Sequence, residues 1–121
     1  MLTAAHRLRS PAEFIRTTRN GYRVAQTHLI AHFHLPPGAT GPAKVGFTVS
    51  SAVGGSVVRH RVTRQLRAGT QVLLADLPAG SRLVVRALPA TAQVSKPVLQ
   101  AELGEVIRAV VAKAGAKRVG S

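Results

Sequence analysis

Hydrophobic positions follow two periods along this chain. Val58, Val62 and Leu66 recur at i, i+4 and i+8, the spacing of one helix face. His60, Arg61, Arg64 and Arg67 fall on the nearly opposite face, with Arg59 on the flank. Gly54-Gly55 marks a tight passage into this helix, and Gly55 or Ser56 is its cap. The helix is expected to run through Arg67, with Leu74 as its furthest extent and Gly69 weakening it. A last helix begins at Ser95, with Leu99, Leu103, Val106, Ile107 and Val110 as its apolar stripe. Lys113 suits the C-terminal end of its dipole, and Gly115 is the expected C′ residue.

The second period is that of strands. In Thr27 to Leu35, Leu29, Ala31, Phe33 and Leu35 alternate with His28, Ile30, His32 and His34. Lys44 to Ser50 sets Val45, Phe47 and Val49 against Lys44, Gly46, Thr48 and Ser50. Tyr22 to Gln26 and Arg82 to Leu88 supply two more strands, the latter closed by Pro89. A first short helix opens at Ser10-Pro11-Ala12-Glu13, where N-cap, N1 proline and N3 glutamate form a capping box. It closes at Asn20-Gly21, where either residue tolerates a left-handed conformation. The segment from Pro36 to Ala43 reads as a surface loop, and Pro78-Ala79-Gly80 as a turn. The resulting order is α-β-β-β-α-β-α, an α/β (α+β) two-layer sandwich with helices on a four-stranded sheet. Its length of 121 residues fits one domain over 1–121: a core of about 6–115, a basic arm over 1–9 carrying His6, Arg7 and Arg9, and a basic tail over 116–121.

Charge narrows the partners. Seventeen Lys and Arg face four acids, Glu13, Asp76, Glu102 and Glu105, for a net charge of +13. Between Glu13 and Asp76 there are eight cations and no acid: Arg16, Arg19, Arg23, Lys44, Arg59, Arg61, Arg64 and Arg67. A solvated helix face ordinarily mixes signs. A one-signed field attracts polyanions, and arrayed guanidinium forks suit phosphate. Nucleic acid is therefore the expected partner, ahead of an anionic membrane, because no apolar run approaches the roughly 18 residues of a spanning helix. The lack of cysteine and of a signal-peptide h-region fits a cytoplasmic protein.

The same scarcity of acids limits catalysis. Two-metal nucleases cluster several carboxylates. Here only Glu102 and Glu105 are spaced as helical neighbours, and solvated glutamates are the simpler reading of that pair. His32 and His34 have chelating i, i+2 spacing but no acidic or thiolate partner nearby, so no metal is assigned to them. With one aspartate and no motif around it, no Ser/His/Asp arrangement stands out, and no catalytic residue is assigned. Four aromatics, Phe14, Tyr22, Phe33 and Phe47, leave few platforms for base stacking. A ribosomal or other RNA-binding module, an RNA-cleaving toxin and a DNA-binding helix module all remain compatible with charge and pattern.

One segment carries a resemblance. Lys44-Val45-Gly46-Phe47-Thr48-Val49-Ser50, then Gly54, then Val58 to Arg67 is similar to the protein component of bacterial ribonuclease P. That family has a strand ending in Val-Ser, a glycine, and a helix reading Arg-Asn-Arg-x-Lys-Arg-x-x-Arg. Glu13-Phe14, Gly21, Leu83-Val84-Val85 and Pro89 extend the resemblance over roughly residues 6–112. It implies a left-handed strand–helix–strand crossover, where general topology favours the right hand. It also implies an accessory subunit of the tRNA 5′-processing endoribonuclease, whose RNA hydrolyses the phosphodiester with Mg²⁺ held mainly by RNA. The implied partners are ribonuclease P RNA and precursor tRNA, in a 1:1 ribonucleoprotein. Arg59, His60, Arg61, Arg64 and Arg67 would contact the catalytic RNA. Phe14, Thr18, His32, Lys44 and Ser50 would line a cleft for the 5′ leader. The sequence departs from the family at Thr18 and His32, often aromatic; at Ser51 and Ala52, often basic; at His60, usually Asn; and at Thr63, usually Lys.

Overall fold

The computed structural model describes residues 3–120, with side chains through residue 115. The elements are α1 (Pro11–Asn20), β1 (Tyr22–Ala25), β2 (Leu29–His34), β3 (Lys44–Thr48), α2 (Ser56–Gln71), β4 (Arg82–Ala87) and α3 (Lys96–Gly120), with short 3-10 turns at Ala4–His6, Leu74–Asp76 and Pro89–Gln93. The expected order of helices and strands is the observed one. The sheet runs β1-β2-β4-β3. β2 pairs antiparallel with β1 and β4, whereas β3 and β4 are parallel neighbours joined through α2.

Strand alternation divides the sheet into two faces. On one face Leu29, Ala31, Phe33, Val45, Leu83 and Val85 meet Val62 and Leu66 of α2 and Leu99, Leu103, Val106, Ile107 and Val110 of α3 in a single buried cluster. On the other face the register aligns Gly46, Val84, His32 and Arg23 in one row, and Lys44, Arg82 and His34 in the next. α1 packs on this second face, with the Phe14 ring directly over Gly46, where an added Cβ would lie 2.2 Å from the ring. α2 extends past Gly69 because that glycine meets α3: a Cβ there would come within 2.7 Å of Leu103.

Several local expectations change. Ser10 Oγ accepts the Glu13 amide at 3.4 Å, but the Glu13 carboxylate accepts from Arg82 Nε at 2.7 Å rather than turning back on the cap. Gly21 is extended, at φ −90° and ψ 175°. Its glycine answers crowding instead, since a Cβ would sit 2.5 Å from the carbonyl oxygens of Phe33 and Thr17. Residues 6–8 of the N-terminal arm are docked. His6 Nδ1 lies 2.8 Å from the Ala43 carbonyl, Arg7 bridges Val45 in parallel, and Leu8 is buried. α3 passes through Gly115 to Gly120, so Gly115 is no C′ residue. Alanines at 112, 114 and 116 carry the helix past the glycine. The expected tail falls within this helix for residues 116–120, and the side chains of Lys117 and Arg118 lie outside the described residues.

Candidate nucleic-acid interface

α2 turns its two sides as its spacing requires. Val62 and Leu66 are fully buried, whereas His60, Arg61 and Arg64 are exposed and Arg59 and Arg67 half-buried. Among the described residues, no acid pairs with any of these arginines. Described ion pairs join Arg82 to Glu13 and His28 to Glu102. Arg61 is oriented by a neutral acceptor, donating from Nη2 to the Ala92 carbonyl at 2.6 Å. Arg64 and Arg67, with Gln65, Ala68 and Lys96 of α3, line a concavity of about 430 Å³ that Arg61 also borders. Lys96 was not legible as part of this surface, because only packing brings the start of α3 beside α2.

Glu102 is not the solvated glutamate its helical position suggested. Its carboxylate accepts the His28 backbone N–H at 2.7 Å and lies 2.8 Å from His28 Nδ1, tying α3 to the β1–β2 turn. That engagement removes it from any pairing with Glu105. Among the described residues, no three His, Asp or Glu side chains stand together as a metal site would need.

The second surface lies between α1 and the sheet. Thr18, His32 and Ser50, three of the five residues the resemblance assigned to a leader cleft, line one concavity together with Thr48, Val84 and Arg86. Phe14 does not line it; the ring is half-buried over Gly46 and fastens α1 to the sheet. Lys44 stands at the other end of β3, opposite Arg82, four residues before Thr48 along the strand. There a neighbouring concavity is lined by Glu13, Arg16, Thr17, His34, Pro36 and Arg82. The cation that the sequence reading missed in the cleft is Arg86. The alternation Arg82, Val84, Arg86 could have indicated it, since those residues share one face of β4.

Apart from Glu13, which is paired with Arg82, the charged side chains lining these two concavities are cationic. The His32 ring is held below its ordinary pKa by burial first, then by the Arg23 and Arg86 guanidinium groups. His34 is lowered likewise by burial, then by Arg82 and Arg16. The buried Nδ1 of His32 has no hydrogen-bond partner. The two histidines line different concavities, so the i, i+2 spacing does not produce a shared chelate.

Fold and surface together define a small basic α/β protein whose cations are arranged for a polyanion. Comparisons with known proteins specify it further. The family model for ribonuclease P matches residues 2–111. The ribonuclease P protein component of Nocardioides sp. is 41% identical over 121 residues, covering 99% of this chain and 100% of the relative. That of Beutenbergia cavernae is 45% identical over 103 residues, covering 85% of this chain and 86% of the relative. In fold, the chain is similar to the RNase P protein of Staphylococcus aureus, with a TM-score of 0.77 at 21% identity over 86% of this chain and 94% of that one. The RNase P protein of Thermotoga maritima gives 0.70 at 17% identity over 83% and 93%. The chain belongs to the ribonuclease P protein family and is a protein subunit of that tRNA-processing ribonucleoprotein. Among the described residues, no helix is long and apolar enough to cross a membrane.

Proposed function

We propose that this subunit binds ribonuclease P RNA through Arg59, His60, Arg61, Arg64 and Arg67, and receives the 5′ leader of precursor tRNA on the α1 face of the sheet. The observation that carries the reading is the set of exposed α2 guanidinium groups left without acid partners while two of the chain's four acids are engaged elsewhere. Unneutralised arginines on a rigid helix are preorganised for phosphate, and their burial against RNA releases counterions. Thr18, His32, Thr48, Ser50 and Arg86 offer the leader hydroxyls, an imidazole and a guanidinium, a lining that favours hydrogen bonding over stacking. Phe14 shapes that cleft by holding α1 in place, and Lys44 extends the positive path along β3. Phosphodiester hydrolysis belongs to the RNA subunit with its bound Mg²⁺, and the protein neutralises phosphate beside it. The complex is a 1:1 ribonucleoprotein of the cytoplasm.

The test is cleavage of a precursor tRNA carrying a 5′ leader, at low Mg²⁺, with ribonuclease P RNA in the presence and absence of this protein. Stimulation that requires both components supports the reading. Binding without stimulation points to a general RNA-binding module, and cleavage by the protein alone removes the assignment of chemistry to RNA.

A further inference from the structure

The arginine face does not end on α2. α2 and α3 run alongside each other in the same direction. Gly69 faces Leu103, and one turn earlier Gln100 Nε2 donates to the Gln65 carbonyl at 3.4 Å. One more turn back on α3 is Lys96, which shares a concavity with Arg61, Arg64 and Arg67. Lys96 is exposed, and neither its side chain nor those of Arg64 and Arg67 make a hydrogen bond or ion pair among the described residues. The remaining lining is Ala68 and Gln65, so four cations surround a hollow with no acid in it. Its volume of about 430 Å³ lies within the roughly 300–1,000 Å³ of pockets that enclose a small ligand. Charges at the rim of an apolar concavity act through less screening than charges on an open helix. Arg61, fixed by the Ala92 carbonyl, keeps one wall of the hollow in place.

We propose that Lys96 and the α2 arginines form one nucleotide-sized pocket that grips a protruding nucleotide of ribonuclease P RNA by its phosphate, making the start of α3 part of the RNA interface. This rests on the reading that the α2 face binds that RNA. Planar guanidinium groups supply paired donors to the phosphate, and the compact ammonium closes the side that α2 leaves open.

The experiment measures affinity for ribonuclease P RNA at 50 and 200 mM monovalent salt for the wild-type protein, Lys96→Ala, Lys96→Arg, Arg64→Ala and the Lys96→Ala/Arg64→Ala double variant. One lost phosphate contact lowers the salt slope by about 0.7–0.9, so the deficit of Lys96→Ala at 50 mM is expected to be roughly three times its deficit at 200 mM. Lys96→Arg restores binding, and the double variant loses less than the product of the single losses because both side chains hold the same phosphate. Thermal melting of Lys96→Ala matches wild type, as befits an exposed side chain. If Arg64→Ala is weakened and Lys96→Ala is not, the α2 interface stands and the pocket is refuted. If both are weakened independently, the shared phosphate is refuted. If neither is weakened, the α2 interface itself fails and the pocket with it.

Discussion

Gly46→Ala tests how the α1 face is built. The added Cβ would lie 2.2 Å from Phe14 Cζ and 2.7 Å from Cε1. Carbon atoms in contact settle at about 3.5–4.0 Å, so the ring must retreat by roughly 1.3–1.8 Å. Overpacking of this kind costs about 1–3 kcal/mol. Replacing glycine within an element returns about 0.5–1 kcal/mol of backbone entropy. With both at mid-range the net destabilisation is about 1 kcal/mol, or roughly 3–6 °C in Tm for a chain of this size. Thermal melting followed by circular dichroism measures it. Combining Gly46→Ala with Phe14→Leu provides the control, because a shorter side chain relieves the clash and the pair should couple by about 1 kcal/mol. Since α1 carries Thr18 at the cleft, the variant holoenzyme should also lose discrimination between precursor tRNA with a leader and mature tRNA, with affinity for ribonuclease P RNA unchanged. A Gly46→Ala protein that melts with wild type, or double-variant effects that simply add, would refute the claim that this contact sets the position of α1.

Neutralising Arg64 and Arg67 together should weaken binding to ribonuclease P RNA and lower the salt slope by roughly 1.4–1.8, read from affinities across a salt series; an unchanged slope counts against this surface. Glu102→Ala should destabilise the protein by about 1–2 kcal/mol, since the half-buried His28 amide loses a charged acceptor; chemical denaturation measures the loss. His32 and His34 both have lowered pKa values, so below the ordinary value of about 6.5 the unfolded chain takes up protons that the folded one resists. Stability should therefore be greatest above that value and fall as pH drops through it towards the folded-state values, flattening below them. Melting curves between pH 7.5 and 5.5 check this, and His32→Gln with His34→Gln should reduce the dependence.

The division of this molecule between sequence and structure follows from the range of the interactions involved. The amphipathic period of Val58, Val62 and Leu66 against Arg61, Arg64 and Arg67 is local, and it specified by itself that α2 would bury one side and present cations on the other. Strand alternation in Lys44–Ser50 and around His32 likewise marked the paired residues, and the order of elements followed. The Val-Ser, glycine and arginine-helix spacing carried a resemblance to the family that the match over residues 2–111 bears out. Partner choice across long separations was not local. That Glu13 meets Arg82 and Glu102 meets His28 depends on which helix lands on which face, 69 and 74 residues away in sequence. In one dimension Gly21 reads as a turn, Gly69 as a weak point in a helix and Gly46 as one alternating position of a strand. Only packing shows that each makes room for a carbonyl, a ring or a neighbouring helix. Charge composition alone pointed to a polyanion as the partner. The tertiary structure decided that Arg86 joins Thr18 and His32 in one cleft, and that Lys96 joins the α2 arginines, because side chains far apart along a chain converge only when a sheet register and a helix crossing bring them together.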